Sequence, residues 1–192
     1  MRFRTRVFAA SLAVAAVTLA VATTLVAWSV RAQTLDRIER QLVAETRLAA
    51  RLVSRGLVEG DLDEEADAIA ALVGARVTLV AADGRVVGDS AEDGAGLAAL
   101  ENHGARPEVA QARTAGLGVA HRYSTTVGFE MLYVAVPVAP VAPVAPDAPA
   151  FVRLALPLTE VQQQLGLVVR SALTAAAAGL ATALLVAWVM SA

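Results

Sequence analysis

The chain has 192 residues, a formal net charge of −2 and no cysteine, and 57% of its residues are hydrophobic. The lack of cysteine excludes disulfides and thiolate metal sites, and the slightly acidic balance excludes the basic footprint of a nucleic-acid-binding domain. The apolar share exceeds that of ordinary soluble domains, so part of the chain is expected to lie outside a soluble core.

Two uncharged apolar runs lie at the ends of the chain, over residues 7–30 and 172–192. A bilayer core about 30 Å thick needs roughly 20 helical residues to cross it. Both runs reach that length, so we predict transmembrane helices over 7–30 and 171–192. The alternatives are a signal peptide cleaved after Ala32, whose apolar part is usually shorter at about 7–15 residues, and a buried core helix for the second run.

Charge predicts the orientation of the first transmembrane helix. Arg2, Arg4 and Arg6 precede it, and no acidic residue accompanies them. Because an excess of arginine and lysine marks the cytoplasmic side, residues 1–6 are predicted to form a cytoplasmic tail. Residues 31–170 then lie outside the bacterial inner membrane, in the periplasm, and the protein crosses that membrane more than once.

Residues 31–56 continue the first apolar run without a proline and carry apolar residues at helical spacing. This apolar stripe consists of Leu35, Ile38, Leu42, Ala49, Leu52 and Val53. The pattern predicts an extracytoplasmic signalling helix that is joined to the first span. Its stripe either covers its own domain or forms the seam of a homodimer, to which the membrane helices would contribute; the second interpretation is favoured.

Acidic residues cluster in the stretch EGDLDEEADAIAALVG. Asp61 or Asp63 can cap a short helix, and Glu64 and Glu65 then fall in its first turn, where the helix dipole favours negative charge. Several carboxylates together can also bind a divalent cation. Helix caps and solvated faces are the commoner origin of such clusters, so we predict no metal site.

The stretch ARVTLVAADGRVVGDS predicts a β-hairpin. Val77, Leu79 and Val80 favour a strand, and the Asp-Gly pair that ends at Gly84 is a strong signal for a two-residue turn. A polar, glycine-dotted insert follows the hairpin. Within it, Pro107 suits the first turn of a helix.

Three further strands are predicted from VAHRYSTT, FEMLYVAVPV and AFVRLALPL. Residues 138–150 lie between the last two and repeat Val-Ala-Pro, which predicts an extended Pro-rich loop because proline cannot pair in a sheet. Thr159 and Gln162 have the spacing of a capping box, which predicts a juxtamembrane helix over 159–170.

This order of elements predicts an α+β domain over residues 57–158, with a five-stranded antiparallel sheet and helices on one face. The hairpin stretch resembles that of extracytoplasmic PAS-like (Cache-type) sensor domains. The pieces ENHGARPE, RYSTTVGFEMLYVAVP and RLALPLTEV, in this order, are similar to the sensor region of phosphate-regulon-type sensor histidine kinases. The resemblance covers about residues 76–165, and the Pro-rich loop departs from the shorter turn of that family.

The resemblance implies the input region of a two-component phosphorelay, which signals to a cognate response regulator. No catalytic residue and no cofactor are expected within residues 1–192; ATP and Mg²⁺ would belong to the kinase part, which in that family follows the second membrane helix. The chain is therefore expected to be a truncated input half. The alternatives are the same sensor module on a chemoreceptor or a cyclic-dinucleotide enzyme, and a stand-alone membrane-anchored binding protein.

A PAS-like pocket is expected between the sheet and its helical insert. Six residues are candidates to line it: Asp89, Asn102, His103, Arg106, Arg122 and Tyr123. An arginine fork can hold an anion, and histidine titrates near neutral pH.

The alternative to a ligand pocket is structural: Asn102 and His103 would satisfy loop backbone groups, and Arg106 would pair with Asp89 or Glu101. Both a small-molecule signal and contact with a transporter or another partner protein stay open.

Overall fold

The structure is a computed structural model that describes residues 3–55, 61–124, 129–139, 148–158, 166, 170–179 and 181–185. The chain divides into two compact units. One consists of Met1–Asp36 and Glu160–Ala192, and the other of Arg37–Thr159. The first helix, α1, covers Phe3–Val53, so it begins in the first unit and ends in the second.

Within the first unit, α1 carries the predicted transmembrane segment. In the part of the chain that the structure describes, it is the one helix long and apolar enough to cross a membrane. Large apolar side chains on it are exposed, and Trp28 is 71% exposed. The hydroxyl groups of Thr18 and Thr24 donate to carbonyl oxygens one turn earlier, at 2.9 and 2.8 Å. Such internal bonds satisfy polar groups that have no water to bind.

Residues 170–179 and 181–185 are also helical. The rest of the predicted second span lies outside the described residues, as does the predicted juxtamembrane helix apart from positions 166 and 170. A second membrane crossing therefore stays a prediction.

The described residues of the second unit form the end of α1 and eight further elements. The helices are α2 (Leu62–Val73), α3 (Gly94–Ala98) and α4 (Pro107–Ala115), and the strands are β1 (Arg76–Ala81), β2 (Val86–Asp89), β3 (Gly118–Ser124), β4 (Phe129–Pro137) and β5 (Pro149–Pro157). The strands form one antiparallel sheet in the order β2-β1-β5-β4-β3. The predicted α+β fold class with a five-stranded antiparallel sheet is confirmed. Residues 140–147 of the predicted Pro-rich loop lie outside the described residues.

The register of the strands defines two faces of the sheet. Thr78 of β1 pairs with Arg153 of β5, which pairs with Ala135 of β4, and these side chains lie on one face, which we call the pocket face. The next residues along, such as Leu79 and Val152, lie on the opposite face. This alternation follows from the two-residue period of a strand.

Helices cover both faces of the sheet, whereas the sequence predicted one covered face. On the pocket face, α4 packs into an apolar cluster that consists of Val80, Val109, Ala112, Ala135 and Phe151. On the opposite face, Glu39 of α1 contacts His121 of β3 at 3.1 Å. A Cβ on Gly88 there would meet the backbone of α2 at Leu62, so only glycine lets this helix approach so closely.

The apolar stripe of α1 is largely used within its own domain. Leu42, Ala49 and Val53 are buried in the isolated chain. The interpretation that the stripe covers its own domain therefore holds for these residues. Homodimer formation stays a prediction, and Leu48, which is 54% exposed, lies on the surface that α1 leaves open to a partner.

Candidate functional site

A cavity of about 520 Å³ lies on the pocket face, between the sheet and the insert, residues 90–117. It is lined by Arg76, Glu92, Ala99, Leu100, Glu101, His103, Arg106, Arg122, Tyr123, Met131, Tyr133, Arg153 and Ala155. The volume is that of an ordinary small-molecule site. Four of the thirteen lining residues are arginines, which makes anion binding the chemistry to consider first.

Two of the arginines that line the cavity share one glutamate behind its wall; Arg153 and the glutamate, Glu108, are buried, and the Arg122 side chain is 27% exposed. Arg153 of β5 donates from Nε to Oε1 of Glu108 at 2.8 Å, and Arg122 of β3 donates from Nη2 to the same oxygen at 3.3 Å. Glu108 is fully buried in the first turn of α4. Two positive charges thus share one negative charge, which leaves an excess of one positive charge at the cavity.

Tyr133 of β4 contacts both guanidinium groups. Its ring centroid lies 4.2 Å from the Arg122 guanidinium and 4.4 Å from that of Arg153, which are cation–π distances. Burial lowers the pKa of Arg153, and Glu108 acts in the opposite direction. An arginine still keeps its charge under these conditions, because its ordinary pKa is so high.

A second chain of hydrogen bonds continues from Arg153 towards β2. Its Nη1 donates to Thr78 Oγ1 at 3.3 Å, and that hydroxyl donates to Asp89 Oδ2 at 2.7 Å. Asp89 Oδ1 accepts from Arg76 Nε and Nη2 at 2.9 and 2.8 Å. Asp89 is fully buried, so it orients Arg76 at the cavity wall and does not itself line the cavity.

His103 lies in the insert and reaches the cavity from the side opposite β5. It is 6% exposed, and its backbone N–H donates to the Gly84 carbonyl at 2.8 Å. Burial, then Arg153, then Arg106 lower the pKa of His103 to about 4, against smaller opposing effects of Asp89 and Glu108. The imidazole is therefore neutral at pH 7. Its buried Nδ1 has no hydrogen-bond partner among the described residues.

The other predicted site residues have different positions. Asn102 does not line the cavity. It donates to the Asp83 carbonyl at 2.9 Å and accepts from the Gly104 N–H at 2.8 Å. It therefore satisfies loop backbone groups, which is the structural alternative given above. Arg106 lines the cavity and pairs with Glu101 at 3.1 Å. Tyr123 also lines it, although it is 62% exposed.

The structure thus brings His103, Arg106, Arg122 and Tyr123 to one cavity, and places Asp89 and Asn102 behind its wall. Whether these residues bind a ligand stays a prediction. Sequence reasoning missed several contributors: Arg76, Glu108 and Arg153 were not proposed, and Met131 and Tyr133 were predicted only as part of the strand FEMLYVAVPV. One signal was present, because a charged residue at position 153 interrupts the apolar strand AFVRLALP.

Among the described residues, no group of three or more possible metal ligands occurs, and the absence of a metal site near α2 stays a prediction. Asp61 occupies the N-cap position of α2 without a side-chain capping bond, so the predicted cap is wrong in that respect. Asp63 instead accepts from the backbone N–H of Asp89 at 2.9 Å, which ties α2 to β2.

No protein-family model matches this sequence, and no curated protein sequence matches it. Among solved structures, the chain is similar to the sensory domain of the Campylobacter jejuni chemoreceptor Tlp3 (CcmL) with isoleucine bound, with a TM-score of 0.52 and 12% identity over 81% of this chain and 65% of that one.

Two further solved structures are similar at lower TM-scores. The sensor domain of the V. cholerae histidine kinase DctB has a TM-score of 0.47 and 15% identity over 74% of this chain and 56% of that one. The ligand-binding domain of the Pseudomonas aeruginosa amino acid chemoreceptor PctC, in complex with GABA, has a TM-score of 0.47 and 17% identity over 80% of this chain and 64% of that one. The chain spans under two thirds of each of the three domains. The likeness to the Campylobacter domain concerns the fold alone, and it agrees with the predicted PAS-like arrangement of a five-stranded antiparallel sheet with helices.

Proposed function

We propose that this chain is an extracytoplasmic sensor module that binds a small anionic ligand in the cavity and passes the signal across a membrane through α1. The observation that carries the proposal is a pair of arginines, the buried Arg153 and the half-buried Arg122, which share the single carboxylate of Glu108. A charge excess in a partly buried site interacts more strongly with an incoming anion than it would in bulk water, because the surrounding protein screens it less. The planar guanidinium groups suit a carboxylate or phosphate.

Transmission would depend on the elements that meet at the cavity. Glu108 belongs to α4, while Arg122 and Arg153 belong to β3 and β5, so an anion that competes for the guanidinium groups would change how α4 packs on the sheet. Because α1 is a single helix from Phe3 to Val53, a displacement of its domain end would be passed along the helix. A displacement of about 1–2 Å is of the size by which helices shift at subunit interfaces in other allosteric proteins. The ligand must bind one state better than the other for such a shift to signal.

We further propose the sensor region of a phosphate-regulon-type two-component histidine kinase as the particular receptor. Its homodimer would form through residues 31–56 and the membrane helices in the bacterial inner membrane, and a kinase part would supply ATP and Mg²⁺ chemistry and phosphorylate a response regulator. The order of the ENHGARPE, RYSTTVGFEMLYVAVP and RLALPLTEV pieces supports this. A chemoreceptor, a cyclic-dinucleotide enzyme or a stand-alone binding protein is the alternative. A phosphoacceptor histidine encoded after residue 192 would favour the kinase, and a stop codon the binding protein.

A thermal-shift screen tests the binding proposal. The 192-residue chain in detergent is melted with a panel of small carboxylates and phosphates, next to the variants Arg122→Gln and Arg85→Gln. Arg85 is a matched control, because it lies on the exposed hairpin and pairs with Asp83 away from the cavity. We expect at least one anion to raise the melting temperature of the wild type and of Arg85→Gln, but not of Arg122→Gln. An anion that stabilises all three proteins equally, or a panel without effect, would contradict the proposal.

A further inference from the structure

The open side of α1 is basic within the second unit. Arg47, Arg51 and Arg55 recur every fourth residue, so they lie along one side of the helix, and all three are exposed. None of them makes an ion pair with another described residue. The helix dipole favours Arg51, which lies in the last turn, but Arg47 lies before that turn. Because like charges at this spacing repel each other, the formation of α1 does not explain this row of arginines.

The outer side of α2 carries the opposite charge. Glu64 and Asp67 lie three residues apart and are exposed, as are Ala68 and Ala71 beside them. Neither acid makes an ion pair with another described residue. Only Glu64 falls in the first turn, where the helix dipole favours a negative charge. The two helices thus sort their exposed charges by sign, with arginines on α1 and carboxylates on α2.

Both helices lie on the sheet face opposite to the pocket face, and the end of α1 and the start of α2 lie at one level. The start of α2 lies against Gly88, which pairs with Leu79, and Leu79 pairs with Val152. Val152 also pairs with Val136, which lines a groove together with Ala50 near the end of α1. Followed away from this level, the arginines of α1 and the acids of α2 occur over the same stretch of the sheet.

A second copy of the chain fits this charge pattern. A two-fold axis that runs along the helices keeps every residue at its own level and lets both copies of α1 enter one membrane. If α1 faced α1 of the second copy, Arg51 would meet Arg51 of the partner subunit, and the two charges would repel each other. If α1 faces α2 of the second copy, arginines meet carboxylates at both levels, since the helical rise of about 1.5 Å per residue brings Arg47 level with Asp67.

We propose that this face is the homodimer interface, in which α1 of each copy packs on α2 of the other. The inference rests on the homodimer of the proposed function and names the surfaces that form it. Leu48, which is 54% exposed beside the arginines, packs on Ala68 and Ala71 of the partner subunit. Leu72 is turned about 140° away from Asp67 around α2, so it lies outside the contact.

The absence of cysteine permits a cross-linking test. Leu48→Cys and Ala71→Cys are made as two 192-residue chains with different tags, which are expressed alone or together and oxidised in membrane vesicles. We expect a disulfide-linked dimer only when the two chains are expressed together, with one chain of each tag, because α1 then faces α2. Equal cross-linking of Leu48→Cys with itself would overturn the inference in favour of a contact between the two α1 helices, and would leave the homodimer itself intact.

Charge reversal tests the same contact without cysteine. In the variant Glu64→Arg with Asp67→Arg, the outer side of α2 becomes basic and repels α1 of the partner. We expect the dissociation constant of the dimer, measured by sedimentation in detergent, to rise by about tenfold or more, because the symmetric contact occurs twice. Adding Arg47→Glu and Arg51→Glu to the same chain should return the dissociation constant to within about threefold of the wild type, since attraction is then restored with the signs exchanged.

Arg85→Glu is the matched control, because Arg85 lies on the exposed hairpin and pairs with Asp83. It should change the dissociation constant by less than about twofold. Wild-type affinity in Glu64→Arg with Asp67→Arg, or no recovery in the fourfold variant, would overturn the inference. A chain that stays monomeric in every measurement would overturn the homodimer as well, without affecting the thermal-shift result on which anion binding depends.

Discussion

Glu108 is the residue that holds two cavity-lining arginines together. It is fully buried, its Oε1 accepts from two arginines, and its Oε2 has no partner among the described residues. Removal of one member of a buried ion pair is costly, because the remaining charge stays buried without compensation. The same carboxylate therefore matters for stability as well as for the charge of the cavity.

We predict that Glu108→Gln lowers the free energy of unfolding by about 3 kcal/mol, because two guanidinium groups then lack their carboxylate. Urea unfolding followed by circular dichroism measures it. In the double variant Glu108→Leu with Arg153→Met, the loss should be smaller than the sum of the two single losses, since the residues are in contact. An unfolding midpoint of Glu108→Gln equal to that of the wild type would argue against the buried cluster.

His103 predicts a pH dependence of stability. Its folded pKa of about 4 lies below the ordinary value of 6.5, so the unfolded chain takes up the proton first as the pH falls. The contribution of His103 is therefore fully present above about pH 6.5 and is lost progressively down to about pH 4, by up to about 3 kcal/mol. The unfolding free energy of His103→Leu should fall less steeply over this window than that of the wild type. Parallel curves for the two proteins would contradict a buried neutral histidine.

At the scale of elements, the insert is held on the first hairpin by a close approach of backbones. Gly84 has a φ of 90°, and a Cβ there would meet the Asn102 side chain and the backbone of Gly104. Its carbonyl accepts from the His103 N–H, so the turn also fixes the position of His103 at the cavity. The Asp-Gly signal in the sequence predicted the turn but not this second contact.

We predict that Gly84→Ala lowers the free energy of unfolding by more than Gly94→Ala does. Both glycines have a positive φ, at which an alanine costs about 1–2 kcal/mol, but only Gly84 has atoms within contact distance of the added carbon. Thermal melts of the two variants give the comparison. Equal losses of unfolding free energy in the two variants would mean that the close approach of the insert to Gly84 does not affect stability.

Local signals predicted the elements better than the site. The hairpin turn and the helix that begins at Pro107 were predictable because Asp-Gly pairs and N-terminal prolines act over a few residues. The burial of Leu42 and Ala49 within the domain was not predictable, since a periodic stripe shows which face of a helix is apolar but not what packs against that face. The cluster of Arg153 with Glu108 joins residues 45 positions apart, and the packing of α4 on the sheet brings them together.

At the scale of the whole molecule, the proposed mechanism requires stiff connections between the domain and the membrane segments. We predict that a flexible glycine insertion after Gly166 abolishes the response of residues 1–192 joined to the cytoplasmic part of a histidine kinase. A reporter gene under the cognate response regulator measures the response, and a substitution such as Gly166→Ala serves as control. An unchanged response after the insertion would reject transmission through rigid helices.

The account as a whole requires that the cavity lie outside the cell membrane, and the absence of cysteine permits a direct measurement of this. Single cysteines are placed at Leu72, which is 77% exposed on α2, and at Arg4 in the predicted cytoplasmic tail. Intact spheroplasts are then treated with a membrane-impermeant maleimide. We predict that Leu72→Cys is labelled in intact spheroplasts and Arg4→Cys only after lysis. Labelling of Leu72→Cys only after lysis would contradict an extracytoplasmic sensor.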